Sequence, residues 1–129
     1  MDLQALTNAI LAFRDERDWS QFHTPSNLAT ALSVETGELQ EELLWKTESE
    51  VADVLESQVG HGRLSDEIAD VLIYALLFAH AAGIDPEEAI KIKLEKNAEK
   101  YPVDLARGRA TKYDKLEPDD RQSRGEDSE

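Results

Sequence analysis

Glu35-x-x-Glu38 and Glu67-x-x-Asp70 both fall inside stretches whose apolar residues recur at helical spacing. A separation of three places the members of each pair on nearly one helix face. That face is otherwise apolar, with Leu32, Val34 and Leu39 around the first pair and Ile68, Val71 and Leu72 around the second. Carboxylates leaning into a helix bundle repel one another and lose hydration, so they persist there when cations or donors compensate them. Four carboxylates from two facing helices would form an oxygen-only cage suited to Mg²⁺, with Mn²⁺ as a substitute. An antiparallel pairing of the two helices would set the pairs face to face, and a solvated acidic face is the other reading the pattern leaves open.

The rest of the punctuation is helical too. Leu3, Leu6, Ile10, Leu11 and Phe13 predict a first helix over Leu3–Arg17, and Asp18–His23 reads as a connection. Thr24-Pro25 is a cap followed by a first-turn proline, opening a second helix expected to run to Trp45. Its inner side is predicted to carry Leu28, Ala31, Leu32, Glu35, Leu39, Glu42 and Leu43. Mid-helix Gly37 costs about 0.5–1 kcal/mol against alanine and is read as a close helix crossing or a ligand approach. Residues 47–57 hold a short helix at most, and Gly60-His61-Gly62 is expected to break the chain before a long helix over Leu64–Ala82 that ends at Gly83. Asp85-Pro86-Glu87-Glu88 opens a fourth helix reaching Lys100. No alternating strand pattern appears. The fold class is all-α, with one domain over residues 1–113 and a charged, disordered tail over 114–129.

Charge and composition exclude several functions. Against 14 basic residues stand 28 acidic ones, a net charge of −14 that argues against binding nucleic acid or an anionic membrane. With no cysteine there is neither a disulfide framework nor a thiolate nucleophile. The first residues lack a signal-peptide pattern and the longest apolar run is too short to span a bilayer, so the expected compartment is the cytoplasm.

The chain also resembles a known family. Arg14 to His23, Asn27-Leu28, Glu35-Thr36-Gly37-Glu38-Leu39, Leu44-Trp45-Lys46, Asp66 to Tyr74, and Lys93…Asn97…Lys100-Tyr101-Pro102 are similar, in order, to the MazG-like nucleotide pyrophosphohydrolases, and most of all to the dCTP pyrophosphatase branch. One departure is Val34, where broader MazG-like motifs place a glutamate beside Glu35. The departure favours the dCTP branch, which lacks that extra carboxylate.

The resemblance implies a four-helix-bundle enzyme, completed as a homodimer or homotetramer. It implies Mg²⁺-dependent hydrolysis of a nucleoside triphosphate between the α and β phosphates, with dCTP or a related pyrimidine deoxynucleotide as substrate. The alternatives are dUTP or another nucleotide, or a helical interaction module without activity. By resemblance the metal ligands fall on Glu35, Glu38, Glu67 and Asp70, with Glu35 or Glu38 also serving as general base. Trp19, Phe22, His23, Trp45 and Tyr74 would surround the nucleoside, and aromatic stacking of a base contributes roughly 1–3 kcal/mol. On composition alone these rings are equally ordinary packing residues. Lys93, Lys96 or Asn97, and Lys100 form a stripe that spacing leaves as a solvated face, whereas the resemblance gives Lys93, Asn97 and Lys100 to the β- and γ-phosphates.

Overall fold

The computed structural model describes residues 1–115, and all regular structure among them is helical. Six α-helices follow in order: α1 Leu3–Glu16, α2 Pro25–Glu41, α3 Glu48–Glu56, α4 Gln58–Ala81, α5 Pro86–Lys100 and α6 Val103–Ala106. Short 3₁₀ turns cover Ser20–Phe22 and Tyr113–Lys115. The expected tail, apart from its first two residues, lies outside the described residues. Residues Met1–Pro86 form one compact unit and the chain from Glu87 a second. No single described helix is long and apolar enough to cross a membrane.

Side-chain caps set where the helices of the first unit begin. Asp2 Oδ1 accepts the Ala5 amide at 2.8 Å, Thr24 Oγ1 that of Asn27 at 3.2 Å, and Thr47 Oγ1 that of Glu50 at 3.2 Å. Each satisfies a donor that the first helical turn leaves without a partner. The end of α4 is as well defined. Gly83 takes φ +68, its amide donates to the His80 carbonyl, and the Ile84 amide reaches back to Ala79 at 2.8 Å. That paired closure needs a left-handed residue, which glycine adopts without strain.

Within this unit α4 is the central element, contacted by α1, α2 and α3. The inner face of α2 is the one the sequence predicts. Leu28 is fully buried, and Ala31, Leu32, Glu35, Leu39, Glu42 and Leu43 are all half-buried. Burial of a leucine of this kind contributes about 1.5–3 kcal/mol. Glu42 accepts from Arg63 Nε at 3.1 Å at one end of the seam. Glu38 faces Glu67 further along, and Glu35 senses Asp70 beyond that. Advancing residues on α2 thus meet retreating residues on α4, so the two helices are antiparallel.

Two boundaries differ from the sequence reading. The second helix stops at Glu41, four residues short of Trp45, because the pitch tightens: the amides of Leu43, Leu44 and Lys46 donate three residues back, to Gln40, Glu41 and Leu43. Trp45 then takes a left-handed φ of +60, which ends any helix. The second difference is at Gly60-His61-Gly62, which lies inside α4 rather than breaking the chain. The break is at Ser57, which closes α3 with its own amide on Asp53 and caps α4 by accepting the Gly60 amide at 2.9 Å.

Gly60 is there for closeness. A Cβ on it would overlap the Val54 carbonyl oxygen and sit 2.6 Å from Ser57 Oγ and 2.9 Å from Val54 Cγ1. Gly62, two residues on, faces open space. Gly60→Ala should therefore cost about 1–3 kcal/mol through overpacking. Gly62→Ala should be neutral or stabilising by up to about 1 kcal/mol through helix propensity. Urea denaturation of the two variants checks this, and equal effects would refute the close-packed α3–α4 joint.

A candidate metal and nucleotide site

The antiparallel seam of α2 and α4 delivers the acidic pairs to one place. Carboxylate oxygens of Glu35, Glu38 and Glu67 lie within 4.8 Å of one another. Glu35 and Glu67 are half-buried, and each has one oxygen, Oε2, that is inaccessible to solvent and has no hydrogen-bond partner. Glu38 is exposed. Asp70 sits outside the tight group of three but close enough for its charge to act on Glu35, Glu67 and Tyr74.

Protonation of the cluster reflects this crowding. Glu35 is pushed up to about 7, first by desolvation, then by its hydrogen bond with Glu38 and the charges of Glu38, Asp70 and Glu67. Glu67 is raised by desolvation and by the negative charges of Glu38, Asp70, Glu42 and Asp66. Tyr74 is raised too, by desolvation and then by Glu35, Asp70 and Glu38. Unpartnered buried oxygens with raised carboxyl pKa values are what an all-oxygen cation site looks like without its ion. The donor set fits Mg²⁺ or Mn²⁺ by hardness.

Beside the cluster opens an apolar cavity of about 660 Å³ between α1 and α4. Leu6, Ile10 and Phe13 form its α1 wall, and Leu72, Ile73 and Leu77 its α4 wall. Asp70 and Tyr74, one helical turn apart, line it as well and join it to the acidic seam. Trp19 and His23 complete the lining from the segment after α1. The Trp19 ring stands edge-on to Phe13, with centroids 6.0 Å apart at 73°, a geometry that fixes its plane. His23 keeps a buried Nδ1 without a partner, and its pKa is lowered by desolvation and then by the Arg14 cation.

Not every expected residue joins this cavity. Phe22 is 60 % exposed and Trp45 93 % exposed, and neither lines it. Lys93, Asn97 and Lys100 lie on α5 in the second unit, where Lys93 borders a shallow depression, Asn97 is half-buried, and the Lys100 ammonium sits 5.0 Å from the Tyr113 ring centre. Among the described residues a side chain at Gly37 would meet nothing within 4 Å, so no helix crossing among them explains it. The sequence reading overlooked the α1 wall and Arg14. The signal was present: Leu6, Ile10 and Arg14 recur every four residues, which places a cation at the end of an apolar stripe.

A stability prediction follows from the carboxylate crowding. Folded Glu35 holds its proton up to about pH 7, whereas an unfolded glutamate releases it near 4.5. The unfolded state therefore binds fewer protons between those values, and stability falls as pH rises through that window. Chelator-treated protein should melt lower at pH 8 than at pH 5.5, and Glu35→Gln should lessen that difference. An identical pH dependence in the variant, measured by thermal melting, would mean that Glu35 does not feel its neighbours.

Comparison with known proteins agrees with this architecture. A family model described as MazG-like matches residues 30–116. The dCTP pyrophosphatase 1 proteins of Bos taurus and Homo sapiens are each 41% identical over 104 residues, 81% of this chain. Those residues are 62% of the bovine protein and 61% of the human one, so the chain spans about three fifths of these relatives. A crystal structure of a pyrophosphatase from Archaeoglobus fulgidus DSM 4304 superposes with a TM-score of 0.71 at 45% identity, over 77% of this chain and 91% of that one. With the family model covering most of its length, the chain belongs to the MazG-like family.

Proposed function

We propose that this protein hydrolyses a nucleoside triphosphate between the α and β phosphates with the help of Mg²⁺, and that dCTP or a related pyrimidine deoxynucleotide is its substrate. The observation that carries the reading is the pair of buried, unpartnered oxygens on Glu35 and Glu67, set within 4.8 Å of Glu38 beside an apolar cavity. The relatives named for dCTP support the base assignment.

Glu35, Glu38, Glu67 and Asp70 would hold the cation, which when bound neutralises the triphosphate and activates water for in-line attack. The protein's own share is to keep those oxygens converged on the seam and to accept the proton of the attacking water. Within the Glu35–Glu38 pair, Glu38 is the member open to solvent. The cavity takes the base, with Trp19 as the stacking face, Tyr74 bridging toward the carboxylates and His23 at its rim. Phe22 and Trp45 are exposed in the single chain. Lys93, Asn97 and Lys100 are assigned to the phosphates by resemblance alone.

The same proposal includes a homodimer or homotetramer. Leu28, Leu77 and Ala79 are the fully buried apolar side chains among the described residues. Val34 and Ile68, on the two seam helices, are 54 % and 44 % exposed. A symmetric copy would cover these faces and give Trp45 and Phe22 a surface to meet.

A screen of the common (d)NTPs with Mg²⁺ and detection of pyrophosphate tests the activity, and release of orthophosphate alone would reject it. Glu67→Gln should lower Mg²⁺ affinity and turnover by at least ~100-fold while far-UV circular dichroism stays unchanged, since even outer-shell partners of metal ligands cost 10–100-fold. Near wild-type turnover at saturating Mg²⁺ would remove Glu67 from the site. Trp19→Ala should raise KM by about 10-fold, with a smaller effect on kcat, because stacking holds bound substrate and transition state alike. An unchanged KM would return Trp19 to a packing role against Phe13.

A further inference from the structure

Arg14 has no part in the reading above, yet it lines the same cavity. Its side chain is only 17 % exposed. Two of its donors are spent on a single oxygen: Nε and Nη2 both meet Asp15 Oδ1, at 2.8 and 2.7 Å. A guanidinium carries five N–H groups in one plane. Three thus stand without a partner among the described residues, in a wall otherwise made of Leu6, Ile10 and Phe13. These donors still reach solvent, so they are open to a ligand's acceptors on the cavity side. Arg14 is also the one fixed cation among the lining residues, since burial and Arg14 itself hold neighbouring His23 toward its neutral form.

We propose that Arg14 is the specificity-determining residue of the base pocket, reading two adjacent acceptors on the edge of the ring stacked at Trp19. This inference rests on the nucleotide-hydrolase reading and adds to it a reason for choosing one pyrimidine over another. A cytosine ring presents the carbonyl O2 and the unprotonated N3 side by side, a spacing that a planar fork can bridge with two parallel N–H donors. A uracil or thymine ring places an N3–H donor there, facing the guanidinium with like against like. A site built to hydrogen-bond a ligand group rejects an analogue that leaves its donors unpaired in the complex far more strongly than an apolar slot can reject a shape. The phosphates are a poorer match for Arg14, because they belong with the cations of the acidic seam and the wall around Arg14 is apolar.

The test compares kcat/KM for dCTP and dUTP, with Mg²⁺, in the full-length chain and three variants. Arg14→Met keeps the apolar stem and removes every donor. Arg14→Lys keeps the charge but not the planar fork. Asp15→Asn weakens the Arg14–Asp15 pair and leaves the donors in place. The dCTP-to-dUTP ratio should fall at least 10-fold in Arg14→Met and Arg14→Lys, through a higher KM for dCTP with kcat on dUTP nearly unchanged. It should stay near the wild-type value in Asp15→Asn. An equal loss on both nucleotides would show that Arg14 serves folding or the phosphates, and a preserved ratio in Arg14→Lys would show that charge alone suffices; either overturns the proposal. A wild-type enzyme that hydrolyses both nucleotides equally well also overturns it while leaving the hydrolase reading intact. Absence of pyrophosphate release from either nucleotide is the separate failure of that underlying reading.

Discussion

The candidate site depends on like charges being held against one another by an apolar seam. Glu35, Glu38 and Glu67 would separate if free, since each loses hydration and gains a negative neighbour. They converge because their helices have no other way to bury Leu28, Leu32 and Leu39 on one side and Leu77 and Ala79 on the other. The raised pKa of Glu35 is the trace of that conflict, with desolvation as its first cause and the surrounding carboxylates adding to it. Under the proposed function, a divalent cation would relieve this crowded charge on binding.

The caps and joints keep that seam in register. An antiparallel pair of helices can slide, and a slip of one turn would move Glu38 from Glu67 to the next acidic residue or to none. Arg63 against Glu42 fixes one end of the pairing, although an exposed ion pair of this kind contributes little energy. The stronger constraint is the short α3–α4 joint, where Ser57 closes one helix and opens the next and Gly60 admits the Val54 carbonyl. Few residues lie between Glu41 and Glu48, so α3 ties the end of α2 to the start of α4 at short range.

Much of this was legible in the sequence, and the parts that were not have physical causes. Period and caps identify α1, α2, α4 and α5 because Thr24-Pro25, Asp85-Pro86 and Gly83 each act locally, through a side chain or a backbone angle. The inner face of α2 followed residue by residue, since burial repeats with the helix. Trp45 misled because apolar character extended past the point where the backbone tightened, and tightening has no signature in hydropathy. Gly60 misled because glycine serves two ends, breaking a helix or admitting a close neighbour, and the neighbour, Val54, becomes visible only in three dimensions. The carboxylate cluster was readable from two i, i+3 pairs. The cavity was not, because its α1 wall is defined by what α4 presents to it.

On the proposed reading, the seam and the cavity would divide the work. Phosphates and their cations are common to all nucleoside triphosphates, so under the proposed function the acidic seam would be blind to the base and would have to be kept whole for any activity. The proposed stacking on Trp19 would be nearly as blind, because every base has a face. Discrimination would then be left to polar groups in the cavity wall, where Leu6, Ile10 and Arg14 share a stripe on α1. A chain that keeps Glu35, Glu38, Glu67 and Asp70 but alters that stripe should keep its chemistry and change its substrate. On the proposed reading, selectivity would lie with the first helix and catalysis with the second and fourth.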